Sequence, residues 1–222
     1  MNRMIALLST VLLLLGMLAG SAMAQGSGGG PADRQSADVV SAEDPDDVVG
    51  DARLVRTDAG VSYNLRTTGL THGDATSIWW VIFNNPDACG TSPCGMLDLF
   101  NPAVAVSVQS GGGNMVGASG NSAYAGHLSV GETTNPHPFV HTDYETRPEG
   151  PDPVANPGLL DPRGAEIHLV VRTHGPAIPG MNHAMFNSYE VGCSPATSFF
   201  AGDGENECAD LQAAVFLPPG SF

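Results

Sequence analysis

Apolar and polar residues alternate most cleanly at residues 61–66, where Val61, Tyr63 and Leu65 interleave with Ser62, Asn64 and Arg66. A period of two is the pattern of a strand with one face buried. Residues 54–57 precede it, and Asp58-Ala59-Gly60 supplies turn chemistry between the two, so residues 54–66 predict a β-hairpin. Residues 77–83 (Ser-Ile-Trp-Trp-Val-Ile-Phe) form an unbroken apolar run, which predicts a central strand covered on both faces. Period two places Trp79 and Trp80 on opposite sides of that strand, one in the core and one free to stack on a ligand if exposed. Val104, Val106 and Val108 predict another strand, ended by a turn at Gly111-Gly112-Gly113-Asn114. Residues 124–130, 165–173 and 213–217 complete the set. Helical periodicity is nearly absent, and only residues 181–189 suit a short helix. The expected fold is therefore all-β, an antiparallel, Greek-key-like β-sandwich.

Three stretches fall outside this pattern. At the N-terminus, Arg3 precedes an apolar run over residues 5–18, and Ser21-Ala22-Met23-Ala24 offers small residues at a cleavage site. This reads as a secretory signal peptide, residues 1–24, with no membrane span left after its removal. Residues 25–49 are rich in Gly, Ser, Ala and Asp and predict a disordered acidic linker, leaving one β-sandwich domain over residues 50–222. Residues 131–163 form a long insertion dense in proline, which cannot be a central strand.

Export changes the reading of the four cysteines, because an oxidising compartment favours disulfides. Four cysteines allow three pairings. The local one, Cys89–Cys94 with Cys193–Cys208, pins a tight loop and closes a C-terminal one. Closing the larger loop contributes about 3 kcal/mol on the chain-entropy estimate. Zinc held by the four cysteines is the rival reading, and neither spacing matches a zinc ribbon.

The chain has 222 residues and a net charge of −15, with eight basic residues that are all arginine. Acid excess without lysine suits a high-salt source or a GC-rich genome. It leaves no basic footprint for nucleic acid, and anionic membrane surfaces are disfavoured for the same reason.

Seven histidines raise metal chemistry. On the strand 165–174, alternation puts Glu166, His168, Arg172 and His174 on one face, but His168 and His174 lie roughly 20 Å apart along a straight strand. The set His168, His174, Met181, His183 and Met185 combines imidazole and thioether ligands, a donor set that favours copper, especially Cu(I). Weaker groupings are His137, His141 and Asp143 in the proline-dense insertion, and Asp203-Gly204-Glu205-Asn206-Glu207, whose oxygens suit calcium less specifically than an EF-hand does. No nucleophile elbow, zincin motif, P-loop or dinucleotide fingerprint is present. A carboxylate pair for glycoside hydrolysis would leave no local motif.

The segment Gly60-Val61-Ser62-Tyr63-Asn64-Leu65-Arg66-Thr67-Thr68-Gly69-Leu70 resembles the opening of CHRD-type domains, a group similar to the Greek-key sandwich of copper–zinc superoxide dismutases. Trp79-Trp80-Val81-Ile82-Phe83-Asn84-Asn85-Pro86 with Cys89 and Cys94, followed by residues 165–170, also looks like a family of secreted microbial proteins. Either resemblance implies an exported β-sandwich without a settled activity. The dismutase pattern carries an H-x-H copper pair, and this chain contains none.

With scaffold signals strong and no catalytic constellation, the leading expectation is a secreted, non-catalytic binding or structural module. Its ligand or protein partner would be extracellular or periplasmic. The alternative is a copper-binding or copper-dependent redox protein using the His/Met set.

Overall fold

The computed structural model describes residues 30–134, 156–196 and 204–220. Residues 1–24, read above as a signal peptide, and most of the proline-dense insertion, including His137, His141 and Asp143, lie outside the described residues.

Among the described residues, eight strands form one antiparallel sheet: β1 (Asp33–Ser41), β2 (Val48–Thr57), β3 (Gly60–Thr67), β4 (Asp74–Phe83), β5 (Val106–Met115), β6 (Ser122–Ser129), β7 (Glu166–Pro176) and β8 (Ala209–Phe216). Their order is β5-β4-β7-β8-β1-β2-β3-β6. The sheet curls until its two ends, β5 and β6, face each other, giving a nearly closed barrel. Side chains bridge that seam: Tyr63 Oη donates to the Gly111 carbonyl at 2.9 Å, and Asn114 Nδ2 donates to that of Ala123 at 3.0 Å. The all-β antiparallel expectation holds, with one curled sheet serving as both layers of the sandwich.

Alternation decides which side chains fill the barrel. Leu54, Val61, Tyr63, Leu65, Ile78, Trp80, Ile82, Ile167, Leu169 and Val171 point inward and form the main core. The intervening residues of β4, β5 and β7 point outward. On that side Trp79, Phe83, Val106 and Val108 build a second apolar cluster with Leu99, beneath the loop that carries Cys89–Cys94. The two tryptophans do face opposite ways, and both are buried. Trp80 meets Tyr63 edge-on at 4.9 Å, and Trp79 meets Tyr189 at 5.2 Å.

The structure corrects two sequence expectations. Residues 25–49 are not a linker throughout, because β1 runs through them between β2 and β8. Its inward positions include the polar Gln35, which hid the strand. Gln35 is satisfied at the barrel end, accepting from Arg56 Nε at 2.7 Å and donating to the Leu217 carbonyl at 2.8 Å. Arg56 itself is fully buried and donates also to the carbonyls of Pro162, Ala165, Phe216 and Leu217. Burial pulls its pKa down to about 10, against the opposing pull of Asp33 and Asp161, so it stays charged at neutral pH.

Gly111–Gly113 is likewise not a turn, since β5 continues through it. A Cβ at Gly113 would lie 2.3 Å from the Thr76 carbonyl oxygen, so glycine here permits close approach of two strands. The predicted hairpin is β2–β3, and the short helix is α1 (Asn182–Asn187).

Candidate metal centre

Both local disulfides form, Cys89–Cys94 and Cys193–Cys208, each with 5.4 Å between its Cα atoms. The zinc reading for four free cysteines is thereby set aside: every cysteine is paired. Each bridge lies beside one further ligand-type group. His174, Cys193 and Cys208 bring their ligand atoms within 4.8 Å of one another, and so do Cys89, Cys94 and Asp98.

The first group is assembled by strand register and two glycines. Thr173 of β7 pairs with Ala209 of β8, which sets His174 beside Cys208. Cys193 arrives on the turn after α1, where its N–H donates to the Glu190 carbonyl. A short bridge then clamps the two cysteine segments: Gly204 N donates to the Cys193 carbonyl at 2.9 Å, and Asn206 N to that of Gly192 at 3.0 Å. Gly192 sits at φ +84°, a left-handed conformation suited to glycine, and a Cβ on Gly204 would lie 2.3 Å from Gly192. Asn206 Nδ2 fastens the clamp to β7 by donating to the carbonyls of His174 and Pro176, both at 2.8 Å.

His174 is fully buried. Its Nδ1 lies 3.2 Å from the Val191 carbonyl and 3.7 Å from Cys193 Sγ. A carbonyl only accepts, so Nδ1 carries the hydrogen and Nε2 accepts from Ser77 Oγ at 2.8 Å. Ser77 Oγ in turn accepts from Trp79 Nε1 at 3.0 Å. Burial, with a smaller contribution from Arg172, lowers the His174 pKa to about 4 despite the bond to Val191. The imidazole is therefore neutral at pH 7, the form in which histidine binds metals. One nitrogen and two sulfurs can surround a single ion. Disulfide sulfurs are not thiolates, and the thiolate is the metal ligand, so this capacity belongs to the open bridge.

The five residues named from sequence occupy several places. His168 is near the other end of β7, paired through Nε2 with Glu166 Oε1 at 2.6 Å. His183 is exposed on α1, and Met181 precedes that helix. Met185 is buried, its Cε packed over Gly192. Of the three histidines named, His174 belongs to a described group of ligand atoms, and its companions there are Cys193 and Cys208. The predicted polar face of β7 is real, but its members are partnered. Glu166 also accepts from the Cys94 N–H, and Arg172 donates to Asp210 at 2.8 Å. Of the calcium grouping, Asp203 lies outside the described residues and Asn206 spends its amide on the clamp.

No described helix is long and apolar enough to cross a membrane. Comparison with family models, curated proteins and solved structures finds no match.

Proposed function

We propose that this protein is an exported β-barrel that binds a soft metal ion, copper(I) foremost, through His174 Nδ1, Cys193 Sγ and Cys208 Sγ when the bridge between the two sulfurs is open. The observation that carries this reading is the convergence of those three buried ligand atoms within 4.8 Å. Thiolate and imidazole suit Cu(I) by softness and geometry. Export rests on the signal sequence at residues 1–24 and agrees with the disulfides. Kinship to CHRD-type domains belongs to the same proposal and rests on residues 60–70.

The opening step uses a thiol reductant. Two reductant thiols give two electrons and two protons to the Cys193–Cys208 bridge, leaving two cysteine thiols and one reductant disulfide. Copper(I) then displaces the two thiol protons. Coordination at Nδ1 requires the other imidazole tautomer, with Nε2–H donating to Ser77 Oγ.

The test is a Cu(I) titration under anaerobic conditions, against a chromogenic competitor, of oxidised protein and of protein reduced and then freed of reductant. The reduced form is expected to take up one equivalent and the oxidised form none. His174→Ala and the double variant Cys193→Ser/Cys208→Ser should lose it. Absence of stoichiometric uptake by the reduced wild type, or uptake unchanged in both variants, would overturn the reading.

A further inference from the structure

A second site lies on the outer face of β4 and β7. The disulfide loop and the segment around Tyr189 wall off a cleft of about 420 Å³, within the range of small-molecule sites. Trp79, Val81, Phe83, Phe100 and Val170 give it apolar walls.

The walls are fixed in place by hydrogen bonds and a cation–ring contact. Arg172 lies over the Tyr189 ring with its guanidinium carbon 3.6 Å from the ring centroid, and donates through Nε to the Tyr189 carbonyl at 3.1 Å. Tyr189 Oη donates to Asp210 at 2.9 Å. On the other side, buried Glu166 accepts from Cys94 N at 2.8 Å and so ties the disulfide loop to β7. A site held this way loses little freedom when it is filled.

His168 lines the cleft, tilted against Phe83 at 4.9 Å. Its Nε2 meets the Glu166 carboxylate, which only accepts, so Nε2 carries a hydrogen, and in the neutral ring Nδ1 is an acceptor. Nδ1 has no hydrogen-bond partner among the described residues. Asp210 in the lining and Glu166 behind His168, on a chain of net charge −15, oppose an anionic occupant.

We infer that this cleft binds a flat, uncharged apolar molecule carrying one hydrogen-bond donor, with the rings against Trp79 and Phe83 and the donor on His168 Nδ1. The probes are 2-naphthol, 2-methoxynaphthalene, which keeps the rings but has no donor, and 2-naphthoate, which adds a negative charge. Calorimetric titration of the oxidised, metal-free protein is paired with ¹⁵N NMR, which reports the Trp79 indole N–H. We expect one-to-one binding of 2-naphthol, about three- to tenfold tighter than the ether, as a neutral hydrogen bond allows. Naphthoate should bind more weakly than either. His168→Phe should make 2-naphthol and the ether equal while retaining both, and Val170→Trp should abolish binding by filling the cleft. Near-UV circular dichroism of the variants shows whether the aromatic packing is intact. Equal affinity of 2-naphthol and the ether in the wild type, shifts remote from the Trp79 indole, binding that survives Val170→Trp, or no binding at millimolar probe would each overturn the inference.

Discussion

Both disulfides close local loops, yet different groups stand beside their sulfurs. At Cys89–Cys94 the neighbour is Asp98, whose two oxygens are taken by the N–H groups of Gly90 at 2.8 Å and Gly95 at 2.7 Å. Those bonds hold the carboxyl below the ordinary carboxylate range, with Gly90 the larger influence. That loop is a roof over the outer apolar cluster, and its polar group is spent on shaping it. At Cys193–Cys208 the neighbour is a neutral, buried imidazole whose Nδ1 faces Cys193. A carboxylate that accepts two loop N–H groups beside one bridge and a neutral imidazole beside the other distinguish a structural staple from a candidate metal centre.

The largest effect should come from exchanging the loops in a metal experiment. In reduced protein, Cys193→Ser/Cys208→Ser should eliminate Cu(I) uptake, whereas Cys89→Ser/Cys94→Ser should leave one equivalent bound. Equal loss in both would erase the distinction. His183→Ala should leave uptake unchanged, because that side chain is exposed on α1.

Next comes pH, in the oxidised, metal-free protein. The folded pKa of His174, about 4, lies below its ordinary 6.5, so between these values the unfolded chain binds the extra proton. Stability therefore rises with pH across pH 4–6.5, by about 3 kcal/mol in total from this group. Above pH 6.5 the contribution is flat. Urea unfolding at a series of pH values should show this slope, and His174→Gln should flatten it. A variant retaining the full slope would place the titration elsewhere.

Of similar or smaller size is the difference between the bridges themselves. The chain-entropy estimate gives about 3 kcal/mol for Cys193–Cys208 and about 2 kcal/mol for Cys89–Cys94, since they span 15 and 5 positions. Urea unfolding of the two Cys→Ala pairs at pH 7 should rank them in that order. The reverse order would mean that native packing, rather than loop closure, governs their stabilisation. The smallest effect should be that of Asp98→Asn, which loses the charged cap on Gly90 and Gly95 and should lower stability only above the carboxylate's pKa. Because the folded value is depressed, that contribution is present above the unfolded carboxylate pKa and disappears as pH falls through the folded one.

Much of the barrel was legible because alternation is a local signal. Val61, Tyr63 and Leu65 point inward as their spacing requires, and Ile167, Leu169 and Val171 do the same on β7. The disulfide pairing was readable from proximity in the chain. β1 was hidden because Gln35 looks like linker composition until Arg56 and Leu217 supply its partners. Gly111–Gly113 looked like a turn because close approach to Thr76 is invisible without β4 beside it. In the candidate centre, His174 and the cysteine pair were each visible, but their meeting was not. It depends on the register that sets Thr173 opposite Ala209, a long-range pairing with no local signature. Met185 packs against Gly192 beside the clamp, a contact that its place in the sequence does not reveal.

The most direct measurement is copper-edge X-ray absorption on reduced protein loaded with one equivalent of Cu(I). A first coordination shell of two sulfurs and one imidazole nitrogen is expected, with the sulfur scattering lost in Cys193→Ser/Cys208→Ser. A shell of nitrogen and oxygen alone, or a sulfur shell unaltered by that double substitution, would contradict it.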